Sequence, residues 1–188
     1  MMLYLLCYPS LFFLSTFYAN TTRKGENYWN GSIKTLAKGN TEVVAEMIAQ
    51  IEDADLFEVE TCRPYAADYH ECTQEALKEL REQARPQLKR YLNDLTGHDP
   101  IYVGFPNWWG TMPMAMFSCL EQADLRGKRI LPFCTNEGSG MGRSEQDLRK
   151  ICKGAAVEKG LSIRGTQAAN SRKQVEAWIK ERKTQADR

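Results

Sequence analysis

Six consecutive residues, Pro-Ile-Tyr-Val-Gly-Phe at 100–105, leave this chain few architectures. The run carries no charge and no alternation of polar with apolar positions. A strand with one wet face alternates, whereas a strand covered on both faces reads as a continuous apolar run. At six residues it suits a strand better than a buried helix. Such a strand needs helices on both faces of its sheet.

The rest of the chain offers them in turn. Thr41 to Ile51 puts Val43, Val44, Met47, Ile48 and Ile51 on one helical face, with Asn40 or Thr41 able to cap the start. Residues 54–60 (ADLFEVE) read as a short strand. A helix is expected from about Asp68 to Arg85, stopped by Pro86. After the strand at 100–105, Pro113 starts a helix running from Met114 to about Ala123. KRILPFCT (128–135) is the next strand, with Pro132 an irregularity in its middle. A short helix spans 144–152, a last strand 160–165 (GLSIRG), and a last helix 171–183, with Val175, Trp178 and Ile179 turned inward. Alternation of this kind predicts an α/β fold on a parallel sheet.

The 188 residues suit one domain with a single core. With 25 Lys+Arg against 24 Asp+Glu the net charge is +1, which argues against a nucleic-acid binder. The six cysteines form no C-x-x-C pair and lie near no histidine at zinc-ligand spacing, so they read as reduced, mostly buried thiols. The N-terminus, MMLYLLCYPSLFFLSTFYANTT, admits three readings. In one, residues 1–9 are an extension and LFFLSTFY is the first strand of a domain spanning 10–188, in a cytoplasmic protein. In the second, residues 1–19 export or anchor the chain, although no Lys or Arg precedes Arg23 and Phe17 would stand where a signal cleavage site wants a small residue. The third is a misassigned start. The apolar stretch is marginal for a membrane span.

In open parallel sheets, ligands sit beyond the carboxyl ends of the strands, so three loops matter. The first, 21–42, ends in Lys38-Gly39-Asn40-Thr41-Glu42 at a helix N-terminus, where unpaired N–H groups and the helix dipole favour a phosphate. On its own this is equally a plain N-cap, and no nucleotide-triphosphate loop motif is present. The second, GFPNWWGTMP (104–113), sets Trp108 and Trp109 directly after an apolar strand, either as a wall for a flat ring or as filling for a core corner. The third, CTNEGSGMGRS (134–144), offers backbone groups between flexible glycines. Together they describe a slot with a phosphate end, an aromatic wall and a polar rim, as flavin mononucleotide (FMN) requires.

With the motifs GENYWNGSI, KGNTEVVAEMIA, DLFEVE, PYAADYHECT, GFPNWWGTMP and PFCTNEGSGMG in order, the sequence resembles the short-chain flavodoxin-like family of bacterial proteins over about residues 20–183. The resemblance implies a flavodoxin-like three-layer sandwich: a five-stranded parallel sheet of order 2-1-3-4-5, helices on both faces, and FMN as cofactor. By the same resemblance, Gly39, Asn40 and Thr41 belong to the phosphate loop together with Thr22 and Arg23. Pro106, Asn107, Trp108, Trp109, Gly110 and Thr111 would line the isoalloxazine. Thr135, Asn136, Glu137, Gly138, Ser139 and Gly140 would form its other edge. Residues 25–38 resemble an insertion that splits the phosphate loop. The chain departs from the family where FYANTTRKG replaces a clean strand ending Tyr-Phe-Ser, and where Asn136 stands in place of a frequent histidine.

Three functions follow from the resemblance. One is an electron carrier that docks transiently with a redox partner protein. Another is an NAD(P)H-dependent quinone or flavin reductase on the same fold. The third is an interaction module without flavin. The near-neutral charge weakens a carrier steered by an acidic face, no second dinucleotide motif supports a reductase, and the intact loops speak against the third.

Overall fold

A computed structural model describes residues 24–186. The chain opens with an antiparallel hairpin, β1 (Gly25–Trp29) and β2 (Ser32–Leu36). Asn30 and Gly31 turn it at φ 46° and 95°, the mirror-image turn that matches the twist of two paired strands. Helices α1 (Asn40–Glu52) and α2 (Tyr69–Glu82) follow. The alternating half comprises β3 (Ile101–Pro106), α3 (Met114–Leu120), β4 (Arg129–Asn136), α4 (Ser144–Ile151), β5 (Ala156–Val157) and β6 (Leu161–Arg164). A 3-10 turn at Gly165–Asn170 leads into α5 (Arg172–Ala186).

The sheet is parallel. β4 pairs with β3 on one side and with β5 and then β6 on the other. Alternate residues sort onto two faces. Ile101, Val103, Phe105, Ile130 and Cys134 pack with α3 and Leu148 of α4. Tyr102, Leu131, Phe133, Leu161 and Ile163 pack with Val44, Ala45 and Ile48 of α1 and with Val175, Trp178 and Ile179 of α5. The uninterrupted apolar run of β3 is therefore explained: both faces are covered, and residues 101–105 are all buried. Gly104 is needed for packing, since a Cβ there would stand 2.1 Å from the Phe133 ring.

Pro132 is accommodated by an opening in the ladder. β5 pairs with Arg129 and Ile130, and β6 takes up pairing only at Phe133. A missing N–H at 132 thus removes no bond on that side. The last strand expected over 160–165 forms as β6, and the two-residue β5 is added ahead of it on the same side of β4.

Other expectations change. Residues 54–60 form no ladder among the described residues. This segment instead meets 87–89, through Cys62 N to Gln87 O (2.8 Å) and Lys89 N to Glu60 O (2.9 Å), and it sends Val59 into the core. α2 ends at Gln83, which takes the left-handed conformation (φ 48°), before Pro86 is reached. α3 ends at Leu120, short of Ala123. The expected first strand lies outside the described residues, so β3, β4 and the split β5–β6 account for three of the five strands. Among the described residues no helix is long and apolar enough to cross a membrane.

Candidate functional site

The carboxyl ends of β3 and β4 face the N-terminus of α1, and a cavity of about 330 Å³ opens between them. Gly39, Asn40 and Thr41 line one end. Pro106, Asn107 and Trp108 line a wall, and Thr135, Asn136, Glu137 and Ser139 line the rim opposite. The remaining expected residues lie elsewhere. Trp109, with its side chain pointing out to an adjoining cavity, is half exposed. Gly110 and Thr111 close the turn beneath the tryptophans. Gly138 and Gly140 shape the glycine loop without lining the cavity. Thr22 and Arg23 lie outside the described residues.

At the phosphate end, Gly39 is the N-cap of α1, in extended conformation. It has no side chain to cap with, so the N–H groups of Asn40, Thr41 and Glu42 find no acceptor within the helix. Only Gly39 N is engaged, by a long bond to the Glu42 carboxylate (3.4 Å). The helix start is stitched to β4 by Thr41 and Thr135, whose buried hydroxyls lie 2.7 Å apart. Lys38 is committed to Glu46 at 2.6 Å.

Two asparagines build the loops. Asn107 donates to Gly140 O (2.8 Å) and accepts from Gly110 N (2.9 Å), so one amide holds the tryptophan loop and the glycine loop together. Asn136 accepts from Gly138 N and Gly140 N, both at 2.9 Å, and donates to Ser162 (2.9 Å). Its amide thereby does structural work at the position where the family often has histidine. Residues 108–111 form a tight turn with reciprocal Trp108–Thr111 backbone bonds (2.8 and 3.2 Å). Thr111, fully buried, donates to Asp147 at 2.7 Å, which explains its place under the loop.

Glu137 accepts from Thr166 N (3.0 Å) through one carboxylate oxygen. Its other oxygen is buried without a hydrogen bond, 3.6 Å from the Arg164 guanidinium. The cavity therefore holds unpaired backbone donors at one end, while the Glu137 carboxylate at its rim is turned toward Thr166 N and Arg164.

The structure adds four lining residues: Asn27, Tyr28, Tyr69 and Gly165. Tyr28 and Tyr69 stack at 6.5 Å, and Glu26 accepts from Tyr69 N at 2.8 Å, which docks the hairpin on α2. Gly165 is required by close approach, because a Cβ there would lie 2.4 Å from the Asn40 amide and 2.6 Å from the Glu137 carboxylate. The Asn30-Gly31 pair was a readable hairpin signal. Gly165 and Tyr69 had no local one.

Behind the aromatic wall, Tyr65 meets Trp108 edge-on at 5.1 Å and donates to Glu79 at 2.8 Å. Burial raises the pKa of the Tyr65 hydroxyl, and Glu79 raises it further. Thiol chemistry finds no support here. Burial pushes Cys134, behind the glycine loop, up to about 12, and Cys119 and Cys152 likewise.

A doubly wound α/β protein with a cavity across the carboxyl ends of its strands is the class that fold and site define. A family profile described as flavodoxin matches residues 34–182, and the chain belongs to the flavodoxin family. No curated protein matches it by sequence. Among solved structures, a candidate flavoprotein from Bacteroides uniformis is 27% identical over 89% of this chain and 97% of its own, with a TM-score of 0.70. Another from Bacteroides eggerthii is 22% identical over 89% and 96%, also at 0.70. A flavoprotein in complex with FMN from Lactobacillus acidophilus is 20% identical over 86% and 98%, at 0.60.

Proposed function

We propose that the cavity binds FMN and that the protein works as an electron carrier in a cytoplasmic setting. The carrying observation is that an uncapped helix start and an aromatic wall face one cavity. The uncapped first turn of α1 suits a single phosphate. Trp108, Tyr69 and Tyr28 supply the apolar surface. When bound, FMN would supply reversible one- and two-electron chemistry. Gly39, Asn40 and Thr41 would hold its phosphate, with Thr22 and Arg23 contributing from before the hairpin. Asn107 and Asn136 would keep the two ring-flanking loops in place. The sheet is completed, on this reading, to order 2-1-3-4-5 by residues 11–18 and 54–60 beside β3.

Carrier is favoured over NAD(P)H-dependent reductase by charge. The neighbouring cavity, where a nicotinamide would have to enter, is lined by no charged residue, and a dinucleotide brings two phosphates with it. A transient redox partner protein then supplies and takes the electrons. Stripping any flavin, reconstituting with FMN or FAD, and identifying what is retained by chromatography tests the cofactor. FMN retained and FAD rejected is expected; retention of neither overturns the reading. Mixing the FMN form with NADPH under nitrogen tests the role. Slow or absent bleaching is expected, and bleaching at about 1–1,000 per second would make the protein a reductase.

A further inference from the structure

The β1–β2 hairpin stands at the first cavity without joining the body of the domain. None of residues 24–38 is buried, and none belongs to either core cluster. Among the described residues its sheet has two strands, and a lone hairpin is marginally stable in water. Yet Asn27 and Tyr28 line the cavity. An element that supplies part of a cavity wall without core contacts belongs to the low-stability end of a fold, from which moving covers are drawn.

Two contacts to Tyr69, the first residue of α2, tie the hairpin down. The Glu26 carboxylate accepts from Tyr69 N at 2.8 Å, and the Tyr28 ring stacks on the Tyr69 ring at 6.5 Å. The N-cap Asp68 takes the Glu71 N–H, so Tyr69 N is one of the donors that the helix leaves over. A carboxylate placed there also meets the positive end of the helix dipole. Asn27 and Tyr28 follow Glu26 directly in the strand, so this contact fixes where they stand.

The two ends of the hairpin lie together, since Gly25 and Leu36 are register partners. Gly25 has φ 111°, and a Cβ there would meet nothing within 4 Å, so the chain has room to pivot. On the other side Lys38 pins the base to α1 through Glu46 at 2.6 Å. The hairpin is thus one piece on a fixed base, and that base leads straight into the phosphate end at Gly39.

We infer that the hairpin is a cover that opens and closes over the first cavity, with Glu26 as its latch: a positioning residue that keeps Tyr28 in the cavity wall by holding the first amide of α2. The inference rests on the flavin reading only for the occupant. Such a latch lowers the population of the open form, through which a ligand both enters and leaves. Both rates therefore fall together. A fixed wall would slow release alone.

Two measurements on the full-length protein test this. In the first, without flavin, amide hydrogen exchange is followed residue by residue. Glu26→Gln should speed exchange of the hairpin amides about three- to fivefold, with β3 amides unchanged within about twofold. In the second, FMN entry and release are timed by stopped flow through flavin fluorescence. Glu26→Gln should raise both rates about three- to fivefold, and Glu26→Ala at least about tenfold. Replacing residues 26–35 by Gly-Gly, which the Gly25–Leu36 pairing permits, should leave a folded protein that still binds FMN, with both rates again raised. Faster release with unchanged entry overturns the inference, because the hairpin is then a fixed wall. Unchanged hairpin exchange in Glu26→Gln overturns it too, and so does loss of FMN binding in the deletion. None of those three results requires the wild type to lose FMN, so the flavin reading survives them. A wild type that takes up no FMN overturns that reading and the cover's occupant with it.

Discussion

The two ends of the parallel sheet handle polar groups in opposite ways. At the amino end, charges gather in ion pairs. Glu52 closes α1 and pairs with Lys183 at 2.8 Å, and Arg129 opens β4 and pairs with Glu158 at 2.7 Å. Arg129 also donates to Arg182 O, and the Arg182 side chain lies 3.9 Å from Glu158. At the carboxyl end uncharged amides and hydroxyls, Asn107, Asn136, Thr41 and Thr135, hold the loops beside the cavity, with the carboxylates of Asp147 and Glu137 behind them. What stays unpaired there, the first turn of α1, faces a cavity. Ion pairs dominate at one end, while at the other mostly neutral partners hold the loops and leave the first turn of α1 open to a ligand's charge.

The comparison breaks most sharply at Arg129. Arg129→Ala removes the partner of a carboxylate that is four-fifths buried. Removing one member of a buried pair costs about 3–5 kcal/mol, and the partial exposure of Arg129 places the change near the lower figure. A loss of about 3 kcal/mol lowers Tm by roughly 6–12 °C in a domain of this size. FMN affinity per folded molecule should stay within about twofold. If affinity falls with Tm, the two ends are not separate, and a melt beside a flavin titration decides it.

Asn107→Ala should do the reverse. It deletes two hydrogen bonds, each worth about 0.5–1.5 kcal/mol, so the fold loses about 1–3 kcal/mol. Because those two bonds hold two loops in register across the cavity, FMN should bind at least tenfold more weakly. Equal stability loss with unchanged affinity would mean that the loops keep their places without the amide.

The same contrast explains what the sequence made legible. β3 could be read because burial on both faces leaves a direct mark, an unbroken apolar run. α1 and α5 could be read because Val44, Ile48, Val175 and Ile179 repeat at helical spacing toward a core. Pro132 looked like an obstacle, and only the split of the next strand shows why it is tolerated. The hairpin lies inside the expected 21–42 loop although Asn30-Gly31, after Tyr28-Trp29, marks such a turn, because its strands bury little and show no clean alternation. In the site, loop residues that follow strands were legible from topology. Tyr69 and Gly165 were not, since each reaches the cavity through tertiary contact: Tyr69 by stacking on Tyr28, Gly165 by passing under Asn40. Trp108 and Trp109 are adjacent and chemically alike, yet Trp108 lines the first cavity and Trp109, at positive φ, only the adjoining one.

The smallest effect tests whether any charge near the site is spent as at the amino end. Glu79 is partly buried behind Trp108, and burial raises its pKa above the ordinary carboxylate value, with the Tyr65 hydroxyl pulling the other way and Glu75 adding to the rise. A raised folded-state pKa means that the ionised form is disfavoured in the fold. The favourable contribution of the protonated carboxyl is complete below the unfolded-state pKa and is lost as pH rises through the folded value. At neutral pH the wild type therefore carries the whole penalty. Glu79→Gln keeps an acceptor for Tyr65 without the charge, so it should be more stable at pH 7. After discounting for solvent screening of a half-exposed group, the gain is about 0.5 kcal/mol, or roughly 1–2 °C in Tm. The gain should shrink as pH falls through the raised pKa of Glu79 and vanish below the ordinary carboxylate range. Melts of both proteins at matched pH check this. A variant less stable than wild type at pH 7 would show that the ionised Glu79–Tyr65 bond outweighs burial, and that the carboxyl end, too, has committed a charge to its fold.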